Sequence, residues 1–376
     1  MNYIDEFPQD PGTAYLNHAA VAPWPKRTLE RVTAFAEENV KYGARYYPRW
    51  ESVEQDLRTK LAKLINAAST DDIALVKNTS EALSMVAHGL DWQPGDNVVI
   101  PAGEFPSNRV VWQSLEPYGV EVRQVDIEAC DDPESALFEH FDAKTRLLSV
   151  SSVRYDTGFR LDLAKLGQYC TDQQVLFCVD AIQSIGVVDM DVQAIQADFV
   201  MADGHKWMLG PEGLAVFYTR PEARAGLSLH EFGWRMVQNP YDFDAKDWDV
   251  AASGQRFECG SPNMLSIQAL DASLSVFSDI GLEQITRNIF KNTSYLIDKL
   301  NNIQGVELIT PIDKHRHAGI VTFKLNDNDP GVVHGKLMER GVICAPRGGG
   351  IRFSPHFYTP CEVLDHALNT LESNLK

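Results

Sequence analysis

The chain has 376 residues, more than one apolar core ordinarily serves, so a large domain with a smaller companion is expected. Apolar residues make up 44% and charged residues 23%, the balance of a globular protein, which excludes a disordered or fibrous chain. Thirty-four Lys and Arg against 52 Asp and Glu give a formal charge of −18; such a surface repels nucleic acid, and any anion must be bound locally.

From Leu29 to Leu64 apolar residues recur at helical spacing, interrupted around Tyr46, Tyr47 and Pro48, which predicts two helices and a loop. Short β-rich runs then alternate with helical stretches: IALV at Ile73, NVVI at Asn97, VEVRQV at Val120, RLLSVSSV at Arg146, VLFCVD at Val175 and ADFVMA at Ala197, with LAVFY at Leu214 closing the series. Runs apolar on both faces belong in a mainly parallel sheet covered by helices on each side. After Asn263 the pattern becomes a long amphipathic helix, the strands VELIT, GIVTFKL, GVICAP and IRFSP, and a terminal helix from Cys361. The expected fold class is therefore α/β: a large domain over 20–262 and a smaller α+β domain from 1–19 and 263–376.

Six cysteines (Cys130, Cys170, Cys178, Cys259, Cys344, Cys361) lie apart without a CxxC pair, which predicts free thiols and a cytoplasmic setting. The N-terminal stretch lacks a basic and an apolar signal region, and no apolar run approaches the roughly 20 residues of a membrane span. Neither export nor membrane insertion is expected. No GxGxxG follows the first strand, GxxxxGK[ST] is absent, and His315 and His317 lack partners at metal-ligand spacing, so neither a dehydrogenase nor a metal centre is indicated.

In open α/β sheets ligands sit beyond the carboxyl ends of the strands. VLFCVD ends there in Asp180, a carboxylate suited to keep a pyridine nitrogen protonated, as pyridoxal 5′-phosphate (PLP) requires; Gln183 follows, within reach of the ring hydroxyl. ADFVMA leads to Lys206, whose amine, partly desolvated, suits Schiff-base formation. Thr79 and Ser80 open a helix after the first strand, where unpaired N–H groups and hydroxyls can hold a phosphate. Arg352 presents a planar fork for a carboxylate. Each has a plainer reading alone: a helix cap for Asp180, a solvated lysine for Lys206, an ordinary cap for Thr79 and Ser80, a surface ion pair for Arg352.

Taken in this order, these elements resemble the class V aminotransferase family of fold-type I PLP enzymes, which includes cysteine desulfurases and isopenicillin N epimerase-like proteins. The resemblance runs from YLNHAAVAP through NTSEAL, GEFPSN, VDAIQSIG, ADGHKWMLGPEG and FECGSPN to IRFSPHFYTP. It implies Lys206 as the Schiff-base lysine, Asp180 at the pyridine nitrogen, Gln183 at the ring hydroxyl and Phe105 where relatives stack a ring on the cofactor. Phenylalanine stacks but moves no proton, so acid–base work falls to Lys206, with His205 either assisting or only packing. The resemblance also implies Thr79 and Ser80 as the phosphate cup, Gly260 and Ser261 reaching in from the second subunit of a homodimer, and Arg352 on the substrate carboxylate.

Two positions depart from the desulfurase-like pattern: Asp203 replaces a serine, which sets it off the phosphate list, and Tyr155 replaces an asparagine near the substrate carboxylate. The implied activity is that of a PLP enzyme on an amino-acid substrate, of aminotransferase, epimerase or lyase type. One alternative is a cysteine desulfurase or selenocysteine lyase using Cys344, although Cys344 falls on an apparent strand and reads better as a small buried hydrophobe. Another is a non-catalytic binder of a phosphorylated ligand. Arg45, Tyr46, Tyr47, Arg49, Trp50, Trp234 and Arg235 are candidates for the entrance.

Overall fold

The computed structural model describes residues 3, 5–128, 130–326 and 328–375. Its elements begin with β1 (Ala14–Tyr15), α1 (Lys26–Tyr42), α2 (Tyr47–Leu64), β2 (Ile73–Val76), α3 (Thr79–Gly89), β3 (Asn97–Pro101), α4 (Ser107–Gln113) and β4 (Glu121–Val125). Next come α5 (Pro133–Phe138), β5 (Thr145–Ser151), α6 (Leu163–Gln173), β6 (Leu176–Asp180), β7 (Phe199–Asp203), β8 (Ala215–Thr219) and α7 (Pro221–Ala225). The remainder is α8 (Met264–Ile280), α9 (Leu282–Leu300), β9 (Val306–Leu308), β10 (Val321–Leu325), α10 (Pro330–Glu339), β11 (Val342–Ile343), β12 (Ala345–Arg347), β13 (Gly350–Phe353) and α11 (Cys361–Leu375).

Seven strands form the large sheet in the order β2-β8-β7-β6-β5-β3-β4. From β7 to β4 all neighbours are parallel, whereas β8 runs antiparallel to β7 and β2. Phe177, Cys178, Val179, Phe199, Val200 and Met201 are inaccessible to solvent, because helices cover both faces, and that is why these strands carry no polar alternation. The α/β architecture with a mainly parallel sheet is thus as the sequence predicts. The order along the sheet reverses between β3 and β5, and such a switch point opens a crevice at the carboxyl ends of its strands.

A second sheet, β12-β13-β10-β9, is antiparallel, and β1 pairs with β11 in parallel. GVICAP is two strands rather than one: Val342 and Ile343 serve β1, Ala345 to Arg347 serve β13, and Cys344 is the joint between them. The helical break near Tyr46 falls earlier than the sequence suggests, because Gly43 with φ 55° ends α1 while Pro48 sits in the first turn of α2, where a missing N–H costs nothing. The long helix after Asn263 is likewise interrupted, at Gly281 with φ 85°.

A buried ion network ties α2 to the loop before α8. Arg58 donates to Glu54 at 2.7 Å, to Glu258 at 2.6 Å and to the Ile73 carbonyl at 2.8 Å. Glu258 also accepts from the Leu75 N–H at 2.8 Å, so the segment leading to Gly260 and Ser261 is held to β2. Arg58→Ala removes the buried guanidinium shared by Glu54 and Glu258 and leaves both to Arg235, and is expected to cost roughly 3 kcal/mol in denaturant unfolding. A loss too small to measure would show that the network does not hold the loop.

The N-terminal segment crosses between the sheets. The Ala19 carbonyl accepts from Gln183 at 3.0 Å, the Ala22 N–H donates to the His205 carbonyl at 2.8 Å, and Trp24 Nε1 donates to the Gly210 carbonyl at 3.1 Å. His18 bonds the Ser354 carbonyl at 2.8 Å and the Tyr358 hydroxyl at 2.7 Å.

Candidate active site

β6 and β7 are parallel neighbours in which Asp180 stands opposite Met201. Asp180, ending β6, and Lys206, in the turn after β7, therefore emerge side by side at the carboxyl edge of the sheet. Asp180 is 2% exposed and accepts the Ile182 N–H at 3.1 Å. Burial pushes its carboxyl up to about 6, against the pull of that N–H and of Lys206. Burial likewise draws the half-buried Lys206 ammonium down to about 8; Asp180 and Asp203 oppose this, while Arg352 and Arg347 add to it. An amine so shifted is in part uncharged near neutrality and free to attack a carbonyl.

The loops after β3 and β5 flank the switch point. Phe105, in the first, is 42% exposed and its ring centroid lies 5.8 Å from Lys206 Nζ. Its edge-to-face partner is Tyr155, in the second, with ring centroids 5.1 Å apart. Gln183 is buried with both ends engaged: Oε1 accepts from Trp207 Nε1 at 2.8 Å and Nε2 donates to Ala19, which leaves one amide hydrogen free. His205 Nδ1 lies 3.1 Å from Asp203 Oδ1 at an angle that makes no hydrogen bond, and neither buried atom has another partner.

α3 is capped by Asn78, whose side chain accepts from Glu81 N at 2.9 Å, rather than by Thr79 or Ser80. Thr79 Oγ1 is consequently left buried without a partner at the helix start, where unpaired N–H groups favour an anion. Ser80 Oγ bonds Ser107 Oγ at 2.8 Å, which links this helix start to the Phe105 loop. Gly260 and Ser261 lie in a loop with an open side: a Cβ on Gly260 would meet no atom within 4 Å.

Arg352 on β13 is 2% exposed, yet no carboxylate among the described residues pairs with it. Nη1 donates to the Tyr155 carbonyl at 2.5 Å and Nη2 to Asn17 Oδ1 at 3.3 Å, while Nε has no partner. Burial and the nearby Arg347 lower its pKa to about 10. A desolvated cation with open donor capacity is a receptor for an anion. Tyr155 meets Arg352 through its backbone carbonyl, not its hydroxyl.

Several contributors had no local signal in the sequence. Glu104, one residue before Phe105, is buried and binds the Ser151 N–H at 2.6 Å and the Ser151 hydroxyl; Ser151 stands opposite Asp180 in the sheet. Burial, with Asp180 adding, pushes the Glu104 carboxyl up to about 7 against the hydrogen bonds of Ser151. Its position just past β3 was the available clue. Of the entrance candidates, Trp50 is 6% exposed and packs on Phe35, and Arg235 pairs with Glu54, so these two serve the interior.

The family model for class-V aminotransferases matches residues 14–352. A probable cysteine desulfurase of Methanothermobacter thermautotrophicus is 32% identical over 95% of this chain and 94% of that protein. A cysteine desulfurase of Pectobacterium atrosepticum is 30% identical over 89% of this chain and 83% of its own. Among solved structures, a lysine-to-alanine variant of C-DES with glycine covalently linked to its PLP cofactor superposes with a TM-score of 0.91 at 25% identity, covering 98% of both chains. The cystine C-S lyase C-DES in complex with cysteine persulfide gives 0.91 at 25% identity over 97% of this chain and 99% of that one. Fold and family together define a fold-type I enzyme of the PLP-dependent kind. The chain belongs to the class-V aminotransferase family.

Proposed function

We propose that this protein is a PLP-dependent lyase that removes the Cα proton of a free amino acid and expels a sulfur group from Cβ. The observation carrying this is the emergence of Lys206 and Asp180 side by side at the carboxyl edge of the sheet, facing Phe105. The residues fit PLP: Thr79 Oγ1 is an orphaned buried hydroxyl at a helix start, Gln183 retains one amide hydrogen, and Arg352 Nε is unpaired. Bound PLP would supply an aldehyde for amines and a ring that takes up the electron pair of the broken Cα–H bond.

Lys206 Nζ accepts the Cα proton and gives a proton to the departing sulfur, whose bond to Cβ breaks with its electron pair. With PLP bound, the Asp180 carboxylate would hold the proton on the pyridine nitrogen, and the desolvation that raises its pKa would also strengthen that ion pair. Arg352 orients the substrate through its α-carboxylate, and Thr79 and Ser80 hold the phosphate with the N-terminus of α3. Phe105, whose ring centroid lies 5.8 Å from Lys206 Nζ, would offer its face to the cofactor ring. The same reading takes the active form as a cytoplasmic homodimer, the open loop at Gly260 and Ser261 reaching the neighbouring subunit's phosphate, and divides each chain into 20–262 and 1–19 with 263–376.

Cysteine desulfuration or selenocysteine cleavage through Cys344 is less well supported. Cys344 is 3% exposed, burial pushes its thiol up to about 12, and the strands on both sides of it are paired. A persulfide-forming thiolate needs exposure and positive surroundings. The test is to incubate PLP-loaded protein with L-cysteine and L-cystine, measure pyruvate and sulfide, and weigh the protein by mass spectrometry. Pyruvate should form with Cys344 unmodified, and Cys344→Ala should keep its rate within about twofold, as expected of a buried thiol doing no chemistry. A persulfide on Cys344, or activity lost with it, would overturn the reading.

A further inference from the structure

The fold buries the Glu104 carboxyl without giving it a cation. It stands in the loop after β3 and is 7% exposed, and no basic group among the described residues forms an ion pair with it. Arg154 holds the same loop by donating to the Ala102 and Gly103 carbonyls at 3.2 and 3.4 Å. Its charge, however, is spent on Asp156 at 2.8 Å and Glu128 at 3.0 Å. An unpaired buried carboxyl costs stability, and groups of that kind gather at functional sites.

What Glu104 grips is Ser151: one oxygen accepts its N–H at 2.6 Å and the other meets its hydroxyl. Ser151 stands opposite Asp180 in parallel register. Residues so paired lie on strands roughly 4.8 Å apart and send their side chains to one face, so Glu104 reaches the face on which Asp180 projects. The next residue, Ser152, gives its N–H and its hydroxyl to the Asp180 carbonyl at 3.0 and 3.2 Å. On the other side of Glu104 is Phe105, whose ring centroid lies 5.8 Å from Lys206 Nζ. A single carboxyl thus joins the loop presenting Phe105 to the strand pair presenting Asp180.

We propose that Glu104 is a positioning residue of the cofactor site: through Ser151 it fixes Phe105 relative to Asp180, and it stands as a second, unpaired carboxyl beside the one that meets the pyridine nitrogen. The inference rests on the reading of Asp180 and Phe105 as cofactor contacts. Its two parts, reach and charge, have separate consequences. A ring gripped at its nitrogen and covered on one face needs those two groups in fixed relation. Burial, with Asp180 adding, pushes the Glu104 carboxyl up to about 7 against the bonds from Ser151, so above that pH it is an anion. The charged and titratable groups around it are Asp180 and Cys178 on β6, Arg154 beyond β5, and, past Asp180, Asp203 and Lys206. An anion at this place favours retention of protons by the bound cofactor.

The test uses the PLP-loaded protein and two variants that separate charge from reach. Glu104→Gln keeps both bonds to Ser151, since its oxygen accepts the N–H and its amide donates to the hydroxyl oxygen, but it carries no charge. The pH at which the cofactor's absorption changes should then fall by about one unit, the size ordinary for losing a nearby anion, with the circular dichroism of the cofactor band retained. Glu104→Asp keeps the charge but is one methylene short of Ser151. Its absorption midpoint should stay near the parent's, while the dichroic band should lose most of its strength. A midpoint unmoved in Glu104→Gln would overturn the proposal, and so would a band in Glu104→Asp as strong as the parent's. A parent protein that takes up no PLP would overturn the reading of the site itself, and this inference with it.

Discussion

Lys206→Ala is expected to abolish the covalent link to the cofactor and to lower turnover by about four orders of magnitude, the upper range for loss of a positioned acid–base group. Borohydride treatment of the PLP-loaded parent should leave a pyridoxyl group on the peptide containing Lys206, and the variant should give none. Stability should hardly change, because the Lys206 side chain makes no hydrogen bond or ion pair with any of the described residues, and the Leu209 N–H bonds its backbone carbonyl, which the substitution keeps. A reducible adduct persisting on another lysine would refute the site.

Asp180→Asn should lower turnover by about two to three orders of magnitude, since a neutral amide cannot hold the ring proton in a water-poor pocket. It should also shift a pH profile. Uptake of PLP by the apoprotein needs an uncharged amine, so its rate should climb with pH and level off above about 8, where the parent Lys206 has lost its proton. The Asp180 carboxylate favours the charged ammonium, so removing it lets the amine deprotonate earlier and moves the rise to lower pH. Stopped-flow absorbance would record both curves. An unmoved midpoint would mean that the two groups do not face one another.

The parts of the candidate site legible in the sequence are those whose signal is local. A fully apolar strand ending in Asp180, a second leading to Lys206, and a hydroxyl pair opening α3 each declare themselves within a few residues. The αβ alternation likewise fixes a mainly parallel sheet. Glu104 and Asn17 were not legible, because each acts through a partner far along the chain: Glu104 through Ser151, 47 residues away, and Asn17 through Arg352, 335 away. A buried glutamate reads as a surface one until its strand end is placed beside another. The split of GVICAP was hidden for a related reason, since β11 and β12 answer to different partners, and only the fold names them.

The crossing segment between the two sheets has a consequence for biosynthesis. Residues 17–24 are made well before the groups that receive them, from Gln183 to Tyr358. Until then these donors and acceptors wait in water, and a chain halted short of β13 offers Asn17 no guanidinium. Fastening of this segment is thus deferred until Tyr358 has been made, and it should be slow compared with local helix formation.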